Sequence, residues 1–249
     1  MKKMLKYQIH DSRKSLIVYS LVMIALFTIS GIGATLSSSS TDYFSLQGTE
    51  LSTFIFLFVM GICLYKEHWL MGMQNGIPRV EFFKSCVSLG IFFGVIGAAF
   101  NLLIAKIFYV IFGNLDNFYI GSFIEMLYSE YFDGLSGLLS IIVSLIFSFV
   151  SIVTLFLLGM LIAAIYCRIP KKTKTAFAIA LPISVFVVLP ILATFFPVFS
   201  EKTLFAFLRI MGLYEGAQNP LIGCLTMAVL CVIFILCSYG LLRKTEVQN

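Results

Sequence analysis

Charge is what this chain of 249 residues has least of. Asp, Glu, Lys and Arg together make up 12%, about half the share of a soluble domain. Apolar residues make up 60%, and the mean hydropathy is +1.01. A disordered chain and an ordinary soluble enzyme are excluded on that balance. The net charge of +5 is spread thinly, which leaves no basic face for nucleic acid. Histidine is nearly missing: His10 and His68 are the two present, and no H-E-x-x-H pair occurs. No C-x-x-C occurs either, and no Cys/His cluster has zinc-ligand spacing, so no metal site is expected. The six cysteines (Cys63, Cys86, Cys167, Cys224, Cys231 and Cys237) lie in or beside apolar runs and read as small packing residues without disulfides.

What is present is long apolar runs. A bilayer core takes roughly 20 helical residues to cross. Runs of that kind recur at 15–34, 51–71, 86–112, 138–168, 175–197 and 221–242, which predicts an all-α integral membrane protein of six spans. The first run is too long for the roughly 7–15-residue core of a cleaved leader, so it is expected to stay as a span. Lys66, Glu67 and His68 mark where the second run emerges from the apolar layer. No repeat or composition shift divides the chain, and residues 1–249 read as one membrane domain.

The few charges are sorted by side. Of the 17 basic residues, fourteen precede span one, lie between spans two and three or four and five, or follow span six. Most acids, among them Asp42, Glu50, Asp116, Glu125 and Glu130, fall in the opposite loops. The positive-inside rule then predicts a multi-pass plasma-membrane protein with both termini cytoplasmic. Spans lack the carboxylates and histidines that hold a driving ion, and they lack an Arg ladder for voltage sensing. Lys106 alone interrupts a span, and either reaches the outer headgroups or contacts a substrate. No G-x-x-x-x-G-K-[ST] loop occurs, so any ATP work belongs to another chain.

Several local patterns stand out. Gly90, Gly94 and Ala98 make a small-residue stripe on span three that permits close helix contact, within the chain or between copies. Pro182, Pro190 and Pro197 punctuate span five. Residues 121–132 form either an interfacial helix or a solvated loop, and Leu204, Leu208 and Met211 are spaced as on a helix before span six. Gly134-Leu135-Ser136-Gly137 matches the G-x-S-G of rhomboid proteases, but no His follows it to act as base. Residues 1–14 mix lysines with Met4, Leu5 and Ile9, the makings of an amphipathic helix on the inner surface.

The loop between spans two and three is the most informative segment. Asn75-Gly76 marks a turn and Pro78 suits the start of a following helix, so two short helices are expected around a tight corner, with Trp69 at the interface. Gln74, Asn75 and Arg79 would face the cytosol. The run Gln74-Asn75-Gly76-Ile77-Pro78-Arg79-Val80-Glu81-Phe82-Phe83 resembles the Q-N-G-[VI]-[SP]-R-x-x-F-F pattern of ABC-2-type permeases of Gram-positive bacteria, the membrane subunits of bacitracin, lantibiotic and peptide-toxin exporters. The resemblance implies an N-terminal elbow helix over 1–14, a coupling helix between spans two and three, and short outer helices before span six. It implies that Gln74, Asn75, Gly76, Ile77, Pro78 and Arg79, with Glu67 and His68 nearby, meet a separate ABC ATPase subunit that binds ATP and Mg. It further implies a second permease copy or paralogue, membrane lipid around the pair, and a hydrophobic or amphipathic peptide as cargo. The competing expectations are a membrane-bound enzyme and a non-transporting immunity or scaffold protein.

Overall fold

The apolar runs fold as helices, because a helix pairs its own backbone polar groups without help from water. The computed structural model describes residues 2–36, 44–45, 47–113, 118–132, 134–135, 137–169, 173, 176, 180, 183–184, 189–195, 197–214 and 218–243. In chain order these give α1 (Lys2–Leu36), β1 (Phe44–Ser45), α2 (Glu50–Gln74), α3 (Arg79–Phe112), β2 (Phe118–Tyr119), α4 (Phe123–Leu127), α5 (Ser129–Phe132), α6 (Gly137–Arg168), α7 (Leu189–Phe195), α8 (Pro197–Ile210) and α9 (Pro220–Arg243). The two-residue strands pair in parallel, Phe44 opposite Phe118. Five helices, α1, α2, α3, α6 and α9, are long and apolar enough to cross a membrane. Of the span expected at 175–197, positions 175, 177–179, 181–182, 185–188 and 196, Pro182 among them, lie outside the described residues, and its described end is α7.

Helix α6 is the post against which α2, α3 and α9 pack. Between apolar helices in lipid, association comes from close packing rather than from exclusion of water. Glycine supplies the closeness here. A Cβ on Gly61 would run into the Phe156 carbonyl, and one on Gly159 into the Phe58 carbonyl, so α2 and α6 touch backbone to backbone through a reciprocal pair. On α3, a Cβ at Gly90 would stand 2.7 Å from the Phe156 ring, and one at Gly94 would stand 2.5 Å from Val153. At Gly90 and Gly94 the small-residue stripe is therefore filled by α6 of the same chain. Phe54, Leu57, Leu89, Phe93, Ile152 and Phe156 close the centre of the bundle.

The structure changes two expectations at the basic end. Residues 1–14 are not a separate elbow, because α1 runs unbroken from Lys2. No Gly or Pro interrupts the sequence before Gly31, and Ser12 Oγ donates to the Gln8 carbonyl at 2.7 Å within the continuing helix. Met4, Gln8 and Ser12 face inward at spacing four, buried against α2 and α3. Trp69 is likewise buried rather than interfacial. It stacks on Tyr65 with ring centroids 6.1 Å apart and meets Phe82 edge-on at 5.4 Å.

The short helices at the other end match the expected spacing. Ser122 caps α4 with a capping box: Ser122 Oγ accepts from the Ile124 N–H, and the Glu125 carboxylate accepts from the Ser122 N–H. Tyr128 Oη donates to the Met211 carbonyl at 2.6 Å, which ties α4 and α5 to the end of α8. Burial pushes the Tyr128 phenol up to about 12, so it remains a donor at neutral pH. Leu204, Leu208 and Met211 lie on or directly after α8.

Candidate functional site

The corner between α2 and α3 is built by a glycine-terminated helix end. Gly76 has φ +69°, the left-handed conformation that glycine takes without penalty. The Ile77 N–H then donates to the Gly72 carbonyl at 3.0 Å and the Gly76 N–H to the Met73 carbonyl at 3.1 Å. This pair of bonds is the Schellman arrangement, which satisfies carbonyls the helix end would leave open. Asn75 adds a bond from Nδ2 to the Met71 carbonyl at 2.8 Å. Ile77 tucks against the cluster of Trp69, Phe82 and Phe83. Pro78 sits at the N-cap of α3, one place earlier than the first helical turn.

No separate coupling helix stands between spans two and three. α2 and α3 themselves carry on past their apolar stretches and meet at the four-residue turn, because the intervening Lys, Glu, Met and Arg are good helix formers. The structure brings Gln74, Asn75, Gly76 and Pro78 together at the exposed tip, with Ile77 and Arg79 half-buried beneath it. Arg79 Nη1 reaches the Leu242 carbonyl at 3.5 Å, linking the corner to the last turn of α9. Glu67 is exposed, but His68 is not: it is 2% exposed, with Nε2 3.1 Å from Asp11 Oδ2. Tyr7 meets the His68 ring edge-on at 5.3 Å. His68 therefore braces the corner from inside, through α1, and presents nothing to a partner directly.

The second polar locus is at the opposite end and was not anticipated from the sequence. Asn101 is buried in α3 and joins four helices. Tyr19 Oη is 2.7 Å from Thr53 Oγ1, Thr53 Oγ1 donates to Asn101 Oδ1 at 2.6 Å, and Asn101 Nδ2 donates to Ser148 Oγ at 3.4 Å. Beside this chain lies a cleft of about 260 Å³ lined on one side by Glu50, Lys106, Ser122, Glu125, Ser140, Ser144 and Ser148. Its other walls are Leu102, Ile120, Ile141 and Leu145. A serine at every fourth place of α6 was the readable signal, since spacing four keeps three hydroxyls on one helix face.

Comparison with protein families, with curated proteins and with solved structures finds no match for this chain. Function rests on the residues themselves. Among the described residues no cluster of His, Cys, Asp and Glu is placed to hold a metal ion. Ser136 of the G-x-S-G segment lies outside the described residues. Both histidines belong to the far end of α1 and α2, His68 held there by Asp11. None of the six cysteines is in a disulfide, and Cys86 accepts a 3.4 Å bond from Gln8 Nε2.

Proposed function

We propose that this chain is the membrane subunit of an ABC exporter, and that the α2–α3 corner is where its ATPase subunit docks. The observation that carries the reading is the corner itself. An exposed polar tip, Gln74-Asn75-Gly76, is fixed by the Schellman bonds and backed by a buried aromatic cluster. It is braced by α1 through His68 and tied to α9 through Arg79. A force applied to such a tip is passed to four apolar helices at once, which is what a chain without its own nucleotide site needs. The sorting of charge, with the basic residues of α1, α2 and α6 and with Arg79 and Lys84 of α3 near this end, supports its facing the cytoplasm. Arg168 stands at the corner end and Met211 at the other, which supports a sixth crossing between them. Cargo is a hydrophobic or amphipathic peptide, carried by a pair of such chains in the plasma membrane of a bacterium.

Affinity purification in mild detergent tests the reading. The wild-type chain brings down an ATPase subunit, and Arg79→Glu lowers that recovery by about tenfold, the scale of a reversed interfacial charge. Unchanged recovery in the variant moves the interface elsewhere, and purification of the wild type without any ATPase overturns the exporter reading.

A further inference from the structure

The cleft at the end opposite the corner has the composition of a binding site. Its polar wall is mixed in sign. Glu50 and Glu125 supply two carboxylates and Lys106 an ammonium, with its Nζ 5.9 Å from the centre of the Tyr109 ring that also lines the cleft. The deep groups are short of partners. Glu50 Oε1 takes a 3.3 Å bond from Ser122 Oγ, while Glu50 Oε2 and Ser144 Oγ are buried with no hydrogen-bond partner. A buried polar atom left unmatched is destabilising, and a ligand that donates to it recovers that loss. The apolar wall continues onto the exposed flanks of α3 and α6, where Leu103, Ile107, Leu138 and Ile142 face outward. With five helices of membrane-crossing length, the cleft falls near the first residue of α2, the last turns of α3 and the first turns of α6, at the polar boundary of the apolar layer.

We propose that this cleft binds a phospholipid whose headgroup carries a primary ammonium. The ammonium donates to Glu50 and the serine ladder, the phosphate lies by Lys106 at the rim, and the acyl chains follow the outer face of α3 and α6. Two carboxylates inside and one ammonium outside match a zwitterion in that order. A purely anionic headgroup would set its charge against Glu50 and Glu125. A quaternary ammonium carries no N–H for Glu50 Oε2. Lipid capture here does not depend on what docks at the corner.

The test uses the full chain exchanged into detergent with phosphatidylethanolamine, phosphatidylcholine or phosphatidylglycerol of identical acyl chains, with retained lipid counted by native mass spectrometry. Phosphatidylethanolamine is retained about tenfold over the other two, the worth of one charge-assisted hydrogen bond. Glu50→Gln removes that preference, and Lys106→Met weakens all three phospholipids together while leaving the ethanolamine preference in place. Ser144→Leu fills the cleft and, with helix content unchanged by circular dichroism, removes retention of all three. Equal retention of the three lipids by the wild type overturns the proposal, as does an ethanolamine preference that survives either Glu50→Gln or Ser144→Leu.

Discussion

The two ends of the bundle are closed in different ways. At the corner end the aromatic side chains interlock: Trp69 packs on Tyr65 and Phe82, His68 Nε2 has Asp11 and the helix end has its Schellman bonds, while Gln8 Oε1, His68 Nδ1 and Ser238 Oγ are buried without a partner. At the other end the packing opens beside Ala98 and Ala105, and Glu50 and Ser144 are left with buried atoms in search of donors. The corner is held in one shape by these contacts. The cleft is built to accept something, since an interior that could have been closed by larger side chains was left open and polar.

That contrast can be broken at its shared seam first. Gly159→Leu places a side chain where α2 approaches α6 at Phe58, and both ends are expected to fail with it. Overpacking of this kind costs about 1–3 kcal/mol and more against backbone, so the thermal midpoint in detergent falls most in this variant. An unchanged midpoint would mean that α2 slides freely on α6. Gly76→Val damages the corner alone. A branched residue forced to φ +69° costs about 1–2 kcal/mol, read as lost stability, while phospholipid retention at the cleft is unaffected. Asn101→Leu damages the cleft end alone: membrane-embedded side-chain hydrogen bonds are each worth about 0.6 kcal/mol, and Asn101 makes two. A loss of roughly 1 kcal/mol in unfolding free energy is expected, and a stabilised variant would refute the role given to the network. Asp11→Asn has the smallest effect. The Asp11 side chain is 47% exposed, and pairs of that kind contribute roughly 0–1 kcal/mol, so the shift stays near the error of a melting experiment.

Hydropathy located the spans that are described but not the lengths of their helices. The runs at 51–71 and 86–112 became Glu50–Gln74 and Arg79–Phe112, because Lys66, Glu67, Arg79 and Lys84 continue a helix as well as Leu does while falling below any apolar threshold. The corner was legible because its cause is local: Asn-Gly followed by Pro dictates a helix stop and a restart within four residues. The partners of its side chains were not. Nothing near His68 in sequence points to Asp11, 57 positions away, and the elbow that hydrophobic spacing suggested for Met4, Leu5 and Ile9 fits a membrane surface and a helix groove equally well. The cleft was missed for the same reason. Glu50 read as one more acid in a polar loop, and Ser140, Ser144 and Ser148 lie within a long apolar run with nothing nearby to single them out, until the fold put them on one wall.

The unbroken α1 has a mechanical meaning. Thirty-five residues at 1.5 Å each make a rod of about 52 Å. It is seated along one side: Met4, Gln8 and Ser12 near the corner, Tyr19 against Thr53 and Phe56, Met23 and Phe27 against Ile104 and Phe108, and Gly31 against Phe112. Between and beyond them its outer face is bare. A hinged elbow would absorb a push at the corner as bending. A stiff rod seated along one side turns it into tilt of the whole helix, with its outer side free to give way.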